Sequence, residues 1–331
     1  MQPNIGKLRG LTVTSSDAGV FTILAFDHRQ SFAKMLSPRP GETVPNADIV
    51  AAKSVVVKAL SPHASAVLLD PEYSAAQSIA SGVLPGRTGL LVAVEETGYS
   101  GTATARGSRL LPGWSVAKIK RMGADAVKLL IYYHPDAGEL TDHQEMLTLE
   151  VIQDCRRYDI AFFLEAVSYS IDPKLDKISA DFAARRPRLI RDIASCLGAL
   201  GPDVLKLEFP VDVFNDPDEG NWARACEAVS NALSCPWAVL SAGVDFDLFK
   251  RQVEIACRSG ASGYIAGRAV WKEGIHMPPL EREDWLRTVA AGRLDQLAEI
   301  ADRHARPWRT FFPGIDNTAS LGWLDSYPGF G

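Results

Sequence analysis

Eight short apolar runs, rich in β-branched and aromatic residues, punctuate the chain. They are 21–27 (FTILAFD), 65–70 (SAVLLD), 89–96 (GLLVAVEE), 125–133 (DAVKLLIYY), 160–167 (IAFFLEAV), 203–210 (DVLKLEFP), 237–243 (WAVLSAG) and 262–268 (SGYIAGR). The runs are nearly continuous rather than alternating, which is how strands of a parallel sheet read when both faces are covered. Stretches with helical spacing lie between them, at 46–60, 114–123, 140–158, 221–234 and 245–260. Asn46, Thr141 and Asp245 stand where N-caps are expected, and Gly123 and Gly260 where helices stop. About eight strand–helix units predict an α/β protein, a (β/α)8 TIM barrel, over about residues 20–275. A doubly wound open sheet is the rival, but it does not require so many units in such even succession. After the last unit the pattern predicts a helix over 280–304 and an aromatic tail over 306–330, packed on the barrel or on a second subunit. No shift in composition marks a linker, so 1–331 reads as one domain with a C-terminal extension over about 276–331.

Composition narrows the class without naming a function. The 331 residues are 47% hydrophobic and 23% charged, ordinary values for a chain with a large core. A formal net charge of −5 gives no electrostatic reason to expect nucleic acid or an anionic membrane as partner. An anionic substrate must therefore be held by local groups. The start, MQPNIGKLRGL, lacks the basic and apolar regions of a secretory signal, and no apolar run approaches the roughly 20 residues that span a bilayer. The five cysteines, Cys155, Cys196, Cys226, Cys235 and Cys257, form no CxxC pair. Reduced thiols and a cytoplasmic location are expected.

In a TIM barrel the chemistry sits at the C-terminal mouth, so polar residues at the ends of the runs become candidates together. They are Asp27-His28-Arg29, Asp70 and Glu72, Glu95-Glu96, Lys128, Glu165, Lys206 and Glu208, Ser241–Gly243, and Gly267-Arg268. Lys206 poses the sharpest question, because lysine is rarely buried in a run as apolar as VLKLEF. It either snorkels to water along its methylene stem or is kept dry so that the neutral amine acts as a nucleophile. Side chains alternate along a strand, so Lys206 and Glu208 share one face, and Leu205 and Leu207 the other. Lys128 has the same setting, and two interior lysines repel each other, which favours a neutral amine. Glu165 offers a carboxylate that serves as ion-pair partner or as proton carrier. Ser241, Gly243, Gly267 and Arg268 end the last two runs, where small residues and an arginine suit a phosphate.

These segments resemble the class I tagatose-1,6-bisphosphate aldolase family, which includes the sulfofructose-1-phosphate aldolases. The resemblance is carried by LAFDHRQSF, KALSPHASAVLLDPEYS, AVEETGYS, GADAVKLLIYYHPD, FFLEAVSY, DVLKLEFPV, LSAGVDFDLF and GASGYIAGRAVWKE. It implies that Lys206 forms a Schiff base, that Glu165 is the acid/base, and that Lys128 and Asp27 are supporting charges. It implies phosphate binding by Ser241, Gly243, Gly267 and Arg268, and substrate contacts from His28 and Arg29. The implied reaction needs no cofactor or metal: a ketose phosphate gives dihydroxyacetone phosphate and an aldehyde. A homo-oligomer is expected. The family usually reads DQR where this chain has Asp27-His28-Arg29, so His28 is expected to alter sugar recognition or carry a proton near pH 7. A second anion could be met by His28, Arg29, Arg106 or Arg109, although Arg106 and Arg109 read first as solvated. Three alternatives stand beside this reading. They are a metal-dependent aldolase or isomerase using His28, His134, Asp70 and Glu95, a sugar-phosphate binder without turnover, and an aldolase for an inositol-derived keto-acid phosphate.

Overall fold

All eight runs form strands: β1 Phe21–Phe26, β2 Ala66–Leu69, β3 Gly89–Ala93, β4 Ala126–Tyr133, β5 Ala161–Ser168, β6 Val204–Glu208, β7 Trp237–Leu240 and β8 Gly263–Ala266. The computed structural model describes residues 4–37, 39, 41–315 and 322–327. The strands close into a barrel in the order β1-β8-β7-β6-β5-β4-β3-β2. Neighbours are parallel throughout, from Phe21 opposite Gly263 to Glu165 opposite Lys206. This is the (β/α)8 barrel that the sequence predicts.

Period-two alternation sorts each strand into two faces. Leu205 and Leu207 of β6, like Leu24 and Phe26 of β1, face outward into a core shared with the helices. Phe21, Ile23, Leu68, Phe163 and Val204 face inward and fill the lower barrel. Lys128, Glu165 and Lys206 continue that inward parity nearer the C-terminal ends, so the apolar floor gives way to a charged layer.

Two elements outside the repeating units plug the floor. The helix Ile5–Val13 contributes Leu11. The tail contributes Trp308 and Ile315, with Phe312 against them. Trp308 is fully buried, and its indole N–H donates to the Ser15 hydroxyl at 3.1 Å. The tail up to Ile315 therefore packs on the barrel; residues 316–321 and 328–331 lie outside the described residues. The helix expected over 280–304 forms as Pro279–Trp285 and Ala291–His304 joined by one π-turn. Among the described residues no helix is long and apolar enough to cross a membrane.

Helix ends follow the expected signals in part. The Asp245 carboxylate accepts the Leu248 N–H, and Gly123 and Gly260 take positive φ just past their helices, where glycine avoids a Cβ clash. Asn46 is not a cap: Pro45 takes that position and Asn46 begins the helix without a side-chain cap bond. Nor is Thr141, because the helix starts earlier, at Glu139 behind Gly138. The Thr141 hydroxyl instead accepts the Ala137 N–H and donates to the His134 carbonyl.

Candidate active site

At the C-terminal mouth a cavity of about 400 Å³ opens above the apolar floor, and Asp27, Glu95, Lys128, Glu165, Lys206 and Arg268 all line it. Lys206 and Lys128 are 4% and 1% exposed, so neither snorkels to water. Lys206 Nζ lies 2.8 Å from Glu165 Oε2, and Lys128 Nζ lies 3.0 Å from the same oxygen. Lys128 also holds Asp27 at 2.7 Å and Glu95 at 2.6 Å.

The electrostatics follow from this arrangement. Burial alone pushes the Glu165 carboxyl up, but the ammonium groups of Lys128 and Lys206 outweigh it and hold the carboxyl below its usual range. Asp27 behaves likewise: burial opposes ionisation, and Lys128 with Lys206 keeps the carboxyl far below the usual value. Burial favours neutral Lys128, yet Asp27, Glu165 and Glu95 together raise it well above an ordinary lysine. Lys128 is thus a fixed cation, and the Lys206–Glu165 pair stands beside it as a close donor and acceptor.

Glu208, on the same face as Lys206, has a separate set of partners. Its carboxylate accepts from the Ser168 N–H and hydroxyl and from Lys177, with Arg186 3.6 Å away. Burial pushes Glu208 up, but Lys177 and Arg186 bring it down to about 2.

The phosphate candidates gather on the β7–β8 side. Ser241, Gly267 and Arg268 line the cavity, and Arg268 opens the helix Arg268–Ile275. Arg268 has no ion pair among the described residues, although its guanidinium stands at the cavity wall. Gly243 is not part of that wall. It takes φ +83°, and a Cβ there would meet Arg268 Cζ at 3.1 Å, so Gly243 makes room for the arginine.

Two expectations need correction. His28 is no proton carrier near neutral pH. Burial, helped by Arg268, Lys53 and Lys206, outweighs Asp27 and lowers its pKa to about 4. Its ring stacks edge-on against Trp271, 5.1 Å between centroids, on the Gly267 side of the cavity rather than at the far end. Arg106 is not simply solvated, since its guanidinium lies over three tyrosine rings. Arg109 is exposed beside Glu96 at 3.3 Å, as expected. Arg29 lines the cavity, but its guanidinium donates to Glu72 at 3.0 Å and to the Glu95 carbonyl at 2.6 Å.

The set proposed for a metal is not assembled. Asp70 is fully buried against Lys53 at 2.6 Å, and His134 Nδ1 accepts the Asp136 N–H. Among the described residues no three His, Cys, Asp or Glu side chains come together in a way that could hold an ion. Glu95, which the sequence reading used only as a ligand in the metal alternative, instead holds Lys128 at 2.6 Å. The parity that places Leu91 inside β3 carries on to Ala93 and Glu95, so the signal was available. Lys177 carries no such signal, because it reaches the cavity from a loop.

Fold and site define a barrel enzyme with a buried lysine–carboxylate pair at its mouth. The model of the DeoC/LacD family aldolases matches residues 21–273, from β1 to beyond β8, and the chain belongs to that family. It is a family of aldolases, which are aldehyde-lyases, and the resemblance carried by the strand motifs is borne out. The chain is 36% identical over 309 residues to tagatose 1,6-diphosphate aldolase 2 of Streptococcus pyogenes serotype M3, covering 88% of this chain and 93% of that one. It is 34% identical over 312 residues to tagatose 1,6-diphosphate aldolase 1 of Streptococcus pyogenes serotype M1, covering 88% and 94%. A solved Schiff-base-forming fructose-1,6-bisphosphate aldolase is similar at TM-score 0.59 and 19% identity, covering 88% of this chain and 98% of that one. The fructose-bisphosphate aldolase of Slackia heliotrinireducens reaches TM-score 0.60 at 13% identity, over 90% and 88%. At those identities the two structures bear on the fold alone.

Proposed function

We propose that this chain is a class I aldolase that cleaves a ketose phosphate, tagatose 1,6-bisphosphate foremost, to dihydroxyacetone phosphate and glyceraldehyde 3-phosphate. The observation that carries the reading is Lys206 Nζ 2.8 Å from the Glu165 carboxylate inside the cavity. A lysine buried this way, with a proton acceptor in contact, has the surroundings of an imine-forming nucleophile. The activity named for the Streptococcus relatives supports the choice of sugar.

In the proposed reaction the Glu165 carboxylate takes a proton from the Lys206 ammonium 2.8 Å away, and the neutral amine so formed attacks the C2 carbonyl of the ketose. The resulting carbinolamine loses water, with Glu165 supplying the proton to the departing hydroxyl, and a protonated imine forms. Glu165, now a carboxylate, takes the C4 hydroxyl proton. The C3–C4 bond breaks, its electrons pass into the iminium to give an enamine, and the aldehyde leaves. Glu165 returns the proton to C3, and water hydrolyses the imine to release dihydroxyacetone phosphate and restore the amine. Lys128 holds a positive charge beside Glu165 throughout, which favours the carboxylate form the cleavage step requires. Ser241, Arg268 and the helix opening at Arg268 anchor the 1-phosphate and orient C2 against the amine. No step calls on a resident cofactor.

Release of dihydroxyacetone phosphate tests the reading, with tagatose 1,6-bisphosphate, fructose 1,6-bisphosphate and 6-deoxy-6-sulfofructose 1-phosphate offered in parallel. The expected result is the highest kcat/KM on tagatose 1,6-bisphosphate. Preference for the sulfosugar would change the far-end group, and cleavage of none of the three would contradict the reading.

A further inference from the structure

Lys53 and Asp70 form an ion pair that is fully buried on both sides, yet the proposed reaction uses neither residue. Lys53 stands mid-helix in Asn46–Leu60, and Asp70 follows β2. Neither is among the residues that line the cavity. Desolvation offsets much of the attraction in such a pair, and two well-packed apolar residues often hold a fold as well. Burial pulls the Lys53 ammonium below the ordinary lysine range, and Asp70 beside it restores only part of the shift. The reason for keeping the two charges lies in what they hydrogen-bond.

Two chains of contacts leave the pair and meet again at Lys128. On one side the Lys53 ammonium donates to Asp70 at 2.6 Å and to the Phe26 carbonyl at 2.9 Å. It also packs over the Phe26 ring, 4.5 Å from the centroid. Phe26 ends β1, so the carbonyl bond fixes the peptide from which Asp27 projects, and Asp27 accepts from Lys128 at 2.7 Å. On the other side the Asp70 carboxylate accepts the Glu72 N–H at 2.9 Å, the Tyr73 N–H at 2.7 Å and the Ser74 hydroxyl at 2.6 Å. These bonds build the turn that presents Glu72 to Arg29, which donates to it at 3.0 Å. Arg29 also donates to the Glu95 carbonyl at 2.6 Å, and the Glu95 carboxylate accepts from Lys128 at 2.6 Å. An apolar pair would fill the same space and make none of these bonds.

We propose that Lys53 and Asp70 are positioning residues for the cleavage reaction: together they hold Asp27 and Glu95 against Lys128, and so fix the cation beside Glu165 and Lys206. The inference rests on the aldolase reading and adds to it two residues that touch neither the substrate nor the reacting atoms. Lys128 Nζ is 3.0 Å from the Glu165 carboxylate, so a small drift of the cation alters the proton transfers that Glu165 carries.

The test is cleavage of the ketose phosphate that wild type cleaves fastest, by Lys53→Met, Asp70→Asn and the double variant Lys53→Met/Asp70→Asn. Rates are expressed per active site that borohydride traps with dihydroxyacetone phosphate. Counting trapped sites removes the unfolded fraction, so a merely structural role leaves kcat per site at the wild-type value. The double variant leaves no buried charge unpaired and gives the answer where a single variant does not fold. The expected result is a kcat per trapped site lowered by about tenfold to 100-fold, with KM within about twofold of wild type. Adding Lys53→Met to Asp27→Asn should cost less than it does in wild type, because the two changes act on one contact with Lys128. Wild-type kcat per trapped site, a loss carried by KM, or an undiminished further loss in Asp27→Asn overturns the inference. A wild-type enzyme that cleaves no ketose phosphate overturns the aldolase reading itself, and this shows before any variant is compared.

Discussion

Glu165 and Lys206 are register partners on adjacent parallel strands, β5 and β6, and their side chains meet at 2.8 Å over the barrel axis. The distance is set by the backbone hydrogen-bond ladder rather than by a loop, so the pair is held in place before substrate arrives. Removing the proton carrier while keeping its shape is the first test. Glu165→Gln should lower kcat by about 10²–10⁴-fold, the usual worth of a positioned acid/base, with the barrel intact. A kcat within tenfold of wild type would assign the proton transfers elsewhere.

Lys128 holds three carboxylates, two of them buried, and its loss leaves Asp27, Glu95 and Glu165 facing one another. Breaking such a cluster costs roughly 3–5 kcal/mol. The carboxyls of Asp27 and Glu165 are lowered in the folded protein, so their stabilisation is present above the ordinary carboxylate range and is lost as pH falls through the lower folded values. In Lys128→Met that benefit disappears and the carboxyls prefer to protonate. The melting temperature should therefore fall most at pH 8 and least at pH 5. An equal deficit at both pH values contradicts the account.

His28 is neutral across the working range because its folded pKa is about 4. A lowered base destabilises the fold as pH falls from about 6.5 toward about 4, since the unfolded chain takes up the proton first. His28→Gln should remove that acid sensitivity. It should also leave the shape of the kcat pH profile unaltered between pH 5.5 and pH 8, even where KM changes. A shifted inflection in that range would restore His28 as a proton carrier.

Much of this was legible in the sequence because one rule governs it. A closed parallel barrel makes every strand a two-faced object, so parity alone sent Lys128, Glu165 and Lys206 inward and Leu205 and Leu207 outward. The same parity reaches Glu95, although no single run shows that Asp27, Glu95 and Glu165 converge on one lysine; that depends on barrel closure. His28 and Arg29 were harder for the same reason. Their states are set by Trp271, Arg268 and Glu72, which arrive from other units of the chain. The long helix Ala180–Leu200 was hidden by Pro187 in its interior, and Asn46 gave way as cap to Pro45. Arg106 read as solvated because nothing local brings three tyrosines to it.

The floor of the barrel is tested by Trp308→Ala, which empties a fully buried indole between the tail and Ser15. A large-to-small change of this kind costs roughly 3–5 kcal/mol. Thermal melting should shift down by several degrees, while KM stays at the wild-type value, since the Lys206–Glu165 pair lies at the other end of the strands. An unshifted melting curve would mean that the tail does not seal the barrel.

The most direct measurement is borohydride reduction of the enzyme in the presence of dihydroxyacetone phosphate, followed by mass mapping of the modified peptide. The account predicts inactivation that depends on the ligand, with the added mass on Lys206 and none in Lys206→Ala. Full activity after reduction, or a label carried by Lys128 or another lysine, would contradict it.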